Sequence, residues 1–241
     1  MKPVRSNPFS ARYIRPGVIS FIFPTAAESV DGKSDARGAR LAETEASSDN
    51  DVNAERLVDR LEKLGARAEI VGPHGSGKST LLASIIPVLG RRGAAVLDIA
   101  LHDNQKRLPS EFLSEAKNLE STKAWLIIDG YEQLGQAARF RLKRLCEKKS
   151  LGRLVTTHRS QGFPLLFETG TNPDLARRIV DRMLHENSNK GARGSAEQLL
   201  SEEDVLHAFE ECNGDMRETL FSLYDRYEQV STERDELGEA Q

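Results

Sequence analysis

The spacing of apolar residues switches several times along the chain between a helical and a strand-like period. Leu57, Leu61 and Leu64 recur at i, i+4 and i+7, which predicts an amphipathic helix that ends at Gly65. Short apolar runs predict strands at 68–71, 94–101, 124–129, 153–158 and 164–168, and helical patterns at 78–90, 109–119 and 134–145 separate the first four of these runs. Such alternation predicts an α/β fold with a parallel sheet covered by helices on both faces.

The segments before this region have a different composition. Residues 1–24 are rich in proline, arginine and aromatic residues, and they are interpreted either as a cover for the core or the nucleotide, or as a peptide that docks a partner. Residues 25–50 carry only Val30 and Leu41 as large apolar side chains. Because so little apolar surface cannot offset the entropy of ordering, this stretch is predicted to be a disordered linker.

The predicted core spans 51–186 and closes with a helix that opens at Asn172 and Pro173. A polar linker at 187–196 leads into a small helical pair, so that linker and pair together cover 187–230. Ser201 and Asp204 have the spacing of a capping box at the start of this pair. The remaining residues, 231–241, form an acidic tail.

Composition and charge narrow the function classes. A net charge of −3 with a pI near 6.0 argues against general affinity for nucleic acid. Cys146 and Cys212 are far apart and form no metal-ligand pattern, which predicts a reduced protein without structural zinc. No apolar run approaches the roughly 18 residues of a membrane span, and no leader pattern is visible. These features predict a soluble, cytoplasmic protein.

The stretch GPHGSGKS, residues 72–79, fits the phosphate-loop pattern G-x-x-x-x-G-K-[ST] completely. A strand leads into it and a helix begins at its lysine, which is the context that the motif requires. Glycines at Gly72, Gly75 and Gly77 let main-chain N–H groups turn inward around a phosphate. Lys78 is expected to reach the β- and γ-phosphates, and the Ser79 hydroxyl is expected to bind Mg²⁺.

The alternative interpretation of this loop is a tight turn with an accidental lysine. The bare pattern arises by chance in roughly one chain in a hundred of this length, and the flanking strand and helix lower that chance further. Gly32-Lys33-Ser34 repeats the last three letters without the first glycine and without flanking elements. The predicted nucleotide-binding residues of the loop are Gly72, Pro73, His74, Gly75, Ser76, Gly77, Lys78, Ser79 and Thr80, with Thr80 near the α-phosphate.

The apolar run WLIID ends in Asp129, at the edge where a parallel sheet presents its ligand groups. Asp129 is predicted to support the magnesium ion together with Ser79, and it is assigned a catalytic role with Lys78. Glu132, three residues further on, has two open interpretations. It is either the carboxylate that positions the attacking water or an acid that stabilises a helix N-terminus.

These motifs resemble those of the AAA+ and STAND ATPases, in the additional-strand branch of P-loop NTPases, over roughly residues 52–228. The resemblance also includes RLVTTHR (153–159) and NGDMRETL (213–220). It implies a sheet order of 5-1-4-3-2, a γ-phosphate sensor at Thr157 or His158, and a lid arginine at Arg217. The chain departs from the pattern at Gly130, where many such ATPases have an acid, and no arginine finger can be assigned.

The sequence therefore predicts binding and hydrolysis of ATP with Mg²⁺, coupled to movement of a small helical lid or of a protein partner. No LSGGQ-like signature and no NKxD motif is present, which disfavours an ABC-type ATPase and a GTPase. One alternative is a switch that binds ATP without hydrolysing it. A less favoured alternative is a kinase acting on a small molecule. A protein partner or self-association is expected, and nucleic acid is not indicated.

Overall fold

A computed structural model describes residues 7–16, 21–23, 48–102, 104–119, 123–188 and 200–239. The chain divides into two compact units. The α/β unit comprises 42–74 and 78–170, and the helical unit comprises 1–41, 75–77 and 171–241. The predicted linker 25–50 lies outside the described residues except for 48–50, which are helical. Most of the predicted linker 187–196, from residue 189 onward, also lies outside them.

Helices and strands alternate along the chain as the apolar pattern predicts. In chain order the elements are α1 (Ala11–Ile14), α2 (Ser48–Lys63), β1 (Arg67–Val71), α3 (Lys78–Arg91), β2 (Ala95–Ala100), α4 (Ser110–Asn118), β3 (Ala124–Asp129), a 3₁₀ turn (Tyr131–Gln133), α5 (Gln136–Lys149), β4 (Gly152–Thr157), β5 (Leu165–Glu168), α6 (Pro173–Ser188), α7 (Glu202–Glu211) and α8 (Met216–Glu239).

The sheet of the α/β unit has five strands in the order β2-β3-β4-β1-β5, and every pair is parallel. This is the predicted order 5-1-4-3-2 counted from the opposite edge, so the predicted fold class is confirmed. The five residues from Ala124 to Ile128 in β3 are all buried, as expected for a strand with neighbours on both sides and helices on both faces. The carboxyl ends of β1, β3 and β4 therefore meet at one edge of the sheet.

The helical unit has its own apolar core, formed by α6, α7, α8 and part of the N-terminal segment. Phe9 is fully buried there and meets Tyr227 edge to face at 6.2 Å. Asn7 Nδ2 donates to the Tyr224 carbonyl at 3.1 Å. The aromatic segment thus supplies at least one core side chain to this unit.

The ends of the helices in this unit follow the sequence signals. The capping box predicted for Ser201 and Asp204 is present, with each side chain bonded to the backbone N–H of the other residue. Helix α8 continues through Glu239, so the acidic tail that begins at Ser231 is helical as far as the structure describes it. Within the described residues, no helix combines the length and the apolar character needed to cross a membrane.

Candidate nucleotide site

The phosphate loop joins the end of β1 at Val71 to the start of α3 at Lys78. Gly75 and Gly77 have positive φ values of 64° and 87°, a conformation that side chains with a Cβ rarely adopt. Gly72 donates its N–H to the Thr157 carbonyl at 3.1 Å and so fixes the start of the loop against β4. Two of the three glycines singled out by the motif thus have the left-handed backbone that an inward-turning loop needs.

Lys78 is the first residue of α3, at the end of this loop, and its side chain is buried. Its Nζ donates to the carbonyl of Gly72 at 2.7 Å and to the carbonyl of Pro73 at 2.5 Å. The same Nζ lies 3.3 Å from Nδ1 of His158. The ammonium group is therefore held by neutral acceptors beside the loop. Its positive charge is not neutralised by any of these contacts.

Asp129 stands at the end of β3, where it accepts hydrogen bonds from two hydroxyls. Ser79 Oγ donates to Asp129 Oδ2 at 2.6 Å, which brings together the two residues predicted to support magnesium. The Thr156 hydroxyl donates to the other carboxylate oxygen and accepts the N–H of Gly130 at 2.9 Å. Both oxygens of the carboxylate are thus oriented by the protein.

Glu132 and His158 form a pair at the same edge of the sheet. Glu132 Oε1 lies 3.0 Å from His158 Nε2, while Glu132 Oε2 is buried and has no hydrogen-bond partner among the described residues. His158 Nδ1 also lies 3.2 Å from the Gly72 carbonyl, and its ring packs on that of His74 with centroids 3.7 Å apart. His158 therefore connects the phosphate loop to Glu132.

Other predicted site residues occupy simpler positions. Pro73 and His74 are exposed, Ser76 is buried, and Thr80 is half-buried in the first turn of α3. Arg217 is exposed in the first turn of α8, in the helical unit, and its backbone N–H donates to Asp215 Oδ1 at 2.9 Å. The assignment of Arg217 to the nucleotide stays a prediction.

Two contacts were missed by the sequence analysis. The resemblance to known ATPases indicated Thr157 and His158 as candidate γ-phosphate sensors. The residue whose hydroxyl orients Asp129 is their neighbour Thr156, which was not singled out. The hydroxyl of Thr157 is buried, and no described residue forms a hydrogen bond with it. Arg139 donates to the backbone carbonyls of Glu132 and Leu134, both at 2.8 Å, and so fixes the 3₁₀ turn that carries Glu132. Strands β3 and β4 run parallel with Ile128 opposite Val155, so the next pair along is Asp129 and Thr156. The contact between these two residues could therefore be predicted once the register of the strands is known.

The donor set at this edge fits magnesium bound together with phosphates. One hydroxyl and one carboxylate offer the hard oxygen ligands that Mg²⁺ prefers, and Mg²⁺ is commonly held by only one or two protein groups plus phosphate and water. Within the described part of the chain, no group of three or more His, Cys, Asp or Glu residues is arranged to hold a metal. A dedicated all-protein metal cage is therefore not part of the described site.

No protein-family model and no curated protein matches the sequence. Solved structures do match in fold. A structure described as a DNA replication initiation factor is 16% identical with a TM-score of 0.50, covering 88% of this chain and 67% of the other. Hsp104 of S. cerevisiae in a casein complex is 14% identical with a TM-score of 0.52, covering 83% of this chain and 40% of the other. A RuvB variant from Thermotoga maritima is 14% identical with a TM-score of 0.46, covering 73% of this chain and 59% of the other.

The replication initiation factor and Hsp104 are AAA+ P-loop ATPases. Together with the sheet order and the phosphate loop, they define the class: the chain has the fold of the additional-strand P-loop NTPases and resembles the AAA+ ATPases within that branch. At such low identities the likeness concerns the fold alone. The chain also spans only 59% of the length of RuvB and 40% of that of Hsp104.

Proposed function

We propose that this protein binds ATP with Mg²⁺ at the phosphate loop and hydrolyses it. The observation that carries the proposal is the 2.6 Å hydrogen bond between Ser79 Oγ and Asp129 Oδ2, with the ammonium group of Lys78 held at the same loop. A hydroxyl and a cation from the start of α3 converge here with a carboxylate from the end of β3. A tight turn with an accidental lysine would not need the carboxylate.

Each group has a role that follows from its chemistry. The N–H groups of the loop and of the first turn of α3 would bind phosphate oxygens, and Lys78 would exchange its contacts with the Gly72 and Pro73 carbonyls for the β- and γ-phosphates. Ser79 and Asp129 would hold Mg²⁺, which supplies positive charge to the phosphate oxygens when it is bound. Catalysis at such a site is mainly positioning and charge stabilisation.

Glu132 is the proposed water-orienting group. Many AAA+ and STAND ATPases have an acid for this role at the position where this chain has Gly130. Its Oε1 is held by His158, while its buried Oε2 has no partner among the described residues. A buried carboxylate oxygen without a donor is costly, and a water molecule can supply that donor. A carboxylate with one oxygen held by the protein and the other able to accept a hydrogen bond suits the orientation of an attacking water.

A second candidate function is a switch that binds ATP without turnover. The observation that favours it is the same Glu132–His158 contact, because a carboxylate engaged by His158 is not free to move toward substrate. In both candidates the nucleotide state would be transmitted to the helical unit, with Arg217 as the residue that responds to the nucleotide. A protein partner or a further copy of the chain would receive the signal.

Steady-state phosphate release separates the two candidates. We expect measurable release from the wild type and at least about a 100-fold loss in Glu132→Gln, since a general base contributes about 10²–10⁴ in rate. Glu115→Gln removes an exposed acid on α4 and should leave the rate unchanged. ATP binding without release in any variant would establish the switch. Absence of ATP binding in calorimetry would contradict both candidates.

A further inference from the structure

A second concentration of charge lies in the α/β unit, away from the phosphate loop. A cavity of about 260 Å³ is lined by four cations, Arg67, Arg139, Lys143 and Arg153, together with aromatic residues that include Phe140 and Phe163. No aspartate or glutamate is among its described lining residues, and none of residues 72–80 contributes to it. The cavity is thus strongly positive and separate from the phosphate loop, although Arg139 in its lining also fixes the turn that carries Glu132.

Arg153 is the most unusual member of this set. Only 6% of its surface is exposed, and its buried Nε has no hydrogen-bond partner in the part of the chain that the structure describes. Among the described residues its guanidinium forms no hydrogen bond and no ion pair; its contact is with the ring of Phe163, whose centroid lies 4.6 Å away. A buried cation is expensive unless it is paired, so the folded chain carries a cost that an anion in the cavity would offset.

Acidic groups nearby do not provide that pairing. Arg67 and Arg153 are register partners on β1 and β4, so their positively charged side chains extend next to each other from the same face of the sheet. Glu69 lies two residues further along the same face, but its carboxylate accepts from the Ser160 hydroxyl and from the Gln161 N–H at 2.8 Å. Its hydrogen bonds are therefore made to neutral groups.

The remaining cations are fixed in place without being neutralised. Arg139 donates to two backbone carbonyls and, at 2.6 Å, to the side-chain oxygen of Gln161, all of them uncharged acceptors. Lys143 approaches Glu147 only at 3.8 Å, with both side chains more than half exposed, and such a surface pair is worth little. Three guanidinium groups and an ammonium group therefore face the cavity with their charge largely available.

The aromatic side of the cavity adds apolar surface and no counter-charge. Tyr131 and Phe163 meet edge to face at 5.4 Å, and Phe140 is 59% exposed, which is unusual for such a large apolar ring. Burial raises the pKa of the Tyr131 hydroxyl although Arg153 and Arg139 act to lower it, so the phenol stays neutral. An anionic group with an attached ring would match both halves of the cavity.

We propose that this cavity is a second ligand site, which binds the phosphate group of a small phosphomonoester. Guanidinium groups present the fork of donors that suits phosphate oxygens, and aromatic faces suit a planar substituent. The volume is slightly below the usual range of about 300–1,000 Å³ for ligand pockets, which favours a compact ligand. A nucleic-acid strand is disfavoured, because the cations converge on one cavity and the chain as a whole carries a net charge of −3.

Calorimetric titration with inorganic phosphate and with phenyl phosphate tests the proposal. All titrations use the Lys78→Ala background, so that the phosphate loop does not mask the cavity. Adding Arg153→Met should weaken binding at least about tenfold, because a hydrogen-bonded charge contributes about 1.5–3 kcal/mol. The matched control, Arg141→Met, removes an exposed arginine from the same unit that does not line the cavity, and it should leave the affinity unchanged.

A second variant keeps the test independent of the folding of Arg153→Met. Lys143→Gln changes an exposed side chain on α5 and should weaken binding about two- to fivefold at low salt. Tighter binding of phenyl phosphate than of phosphate would identify an aromatic phosphoester as the ligand, and equal binding would identify free phosphate. Equal affinity with and without Arg153 would overturn the proposal, as would absence of binding by either probe. Displacement of phenyl phosphate by a single-stranded oligonucleotide at lower concentration would overturn the assignment to a small ligand.

Discussion

Two groups of charged residues in the α/β unit differ in how their charges are compensated. At the carboxyl edge of the sheet, Lys78 donates to two carbonyls and both oxygens of Asp129 accept hydroxyl donors. In the cavity lined by Arg67, Arg139, Lys143 and Arg153, the side-chain Nε of Arg153 is buried without a hydrogen-bond partner among the described residues, and only 6% of the residue is exposed. Both groups lie next to β4. At the carboxyl edge Lys78 and Asp129 form a closed network, from which Glu132 Oε2 and the Thr157 hydroxyl are left out, whereas in the cavity the side chain of Arg153 joins no such network.

The difference shows two ways in which a protein prepares for an anionic ligand. In the first, internal hydrogen bonds hold the polar groups, so a ligand must replace contacts that already exist. In the second, one largely buried cation lacks a partner among the described residues, so the ligand relieves an existing cost and should stabilise the fold as it binds. The proposed nucleotide site is of the first kind, and the cavity is of the second.

The largest expected effect concerns the first kind of site. Lys78→Ala should weaken ATP binding at least about 100-fold in calorimetry, because a charged hydrogen bond contributes about 1.5–3 kcal/mol and Lys78 is expected to contact two phosphates. The matched control is Lys148→Ala, which removes an exposed lysine of α5 that belongs neither to the phosphate loop nor to the cavity and should leave ATP affinity within about twofold. If both variants bound ATP as tightly as the wild type, the proposed nucleotide site would be wrong.

Thr156 and Thr157 allow the closed network to be tested with a matched pair of neighbours. Thr156→Val removes the donor to Asp129 and the acceptor for the Gly130 N–H, and should lower the free energy of unfolding by about 1–3 kcal/mol. Thr157→Val replaces a buried hydroxyl that has no partner among the residues described, so it should be neutral or slightly stabilising. Urea unfolding measures both. Equal destabilisation by the two changes would show that the hydrogen bonds of Thr156 do not matter.

Much of the fold could be predicted because its signals are local. In the run AWLIID five apolar residues precede an acid, and β3 has the predicted bounds. The phosphate loop combines a strand, glycines and a helix start within 12 residues, 69–80, so no tertiary information is needed to find it. The sheet order came instead from the resemblance to known ATPases, since apolar spacing alone does not say which strands are neighbours.

The remaining features depend on contacts that are distant in sequence. The bond between Thr156 and Asp129 requires the register of β3 against β4. The contact of His158 with Glu132 requires two strand ends to meet, and neither residue indicates the other from the sequence alone. Arg153 stands at the start of an apolar run, where an arginine is usually exposed, and its burial depends on Phe163 from the segment before β5. Such positions cannot be predicted from periodicity.

The smallest expected effect concerns the cavity without its ligand. Arg153→Met removes a buried, unpaired charge and keeps most of the apolar stem, so we expect it to raise the free energy of unfolding by about 1 kcal/mol, or the Tm by about 2–4 °C, in a buffer free of phosphate and sulfate. The exposed control Arg141→Met should change stability by no more than about 0.5 kcal/mol.

Added phosphate should then reverse the order of the two proteins. It should raise the Tm of the wild type through binding to the folded state, and it should have little effect on Arg153→Met. Arg153→Met could instead be less stable than both the wild type and the Arg141→Met control in phosphate-free buffer. That result would show that the charge of Arg153 is already compensated within the chain. The cavity would then be a closed network like the carboxyl edge, and the contrast between the two groups would disappear.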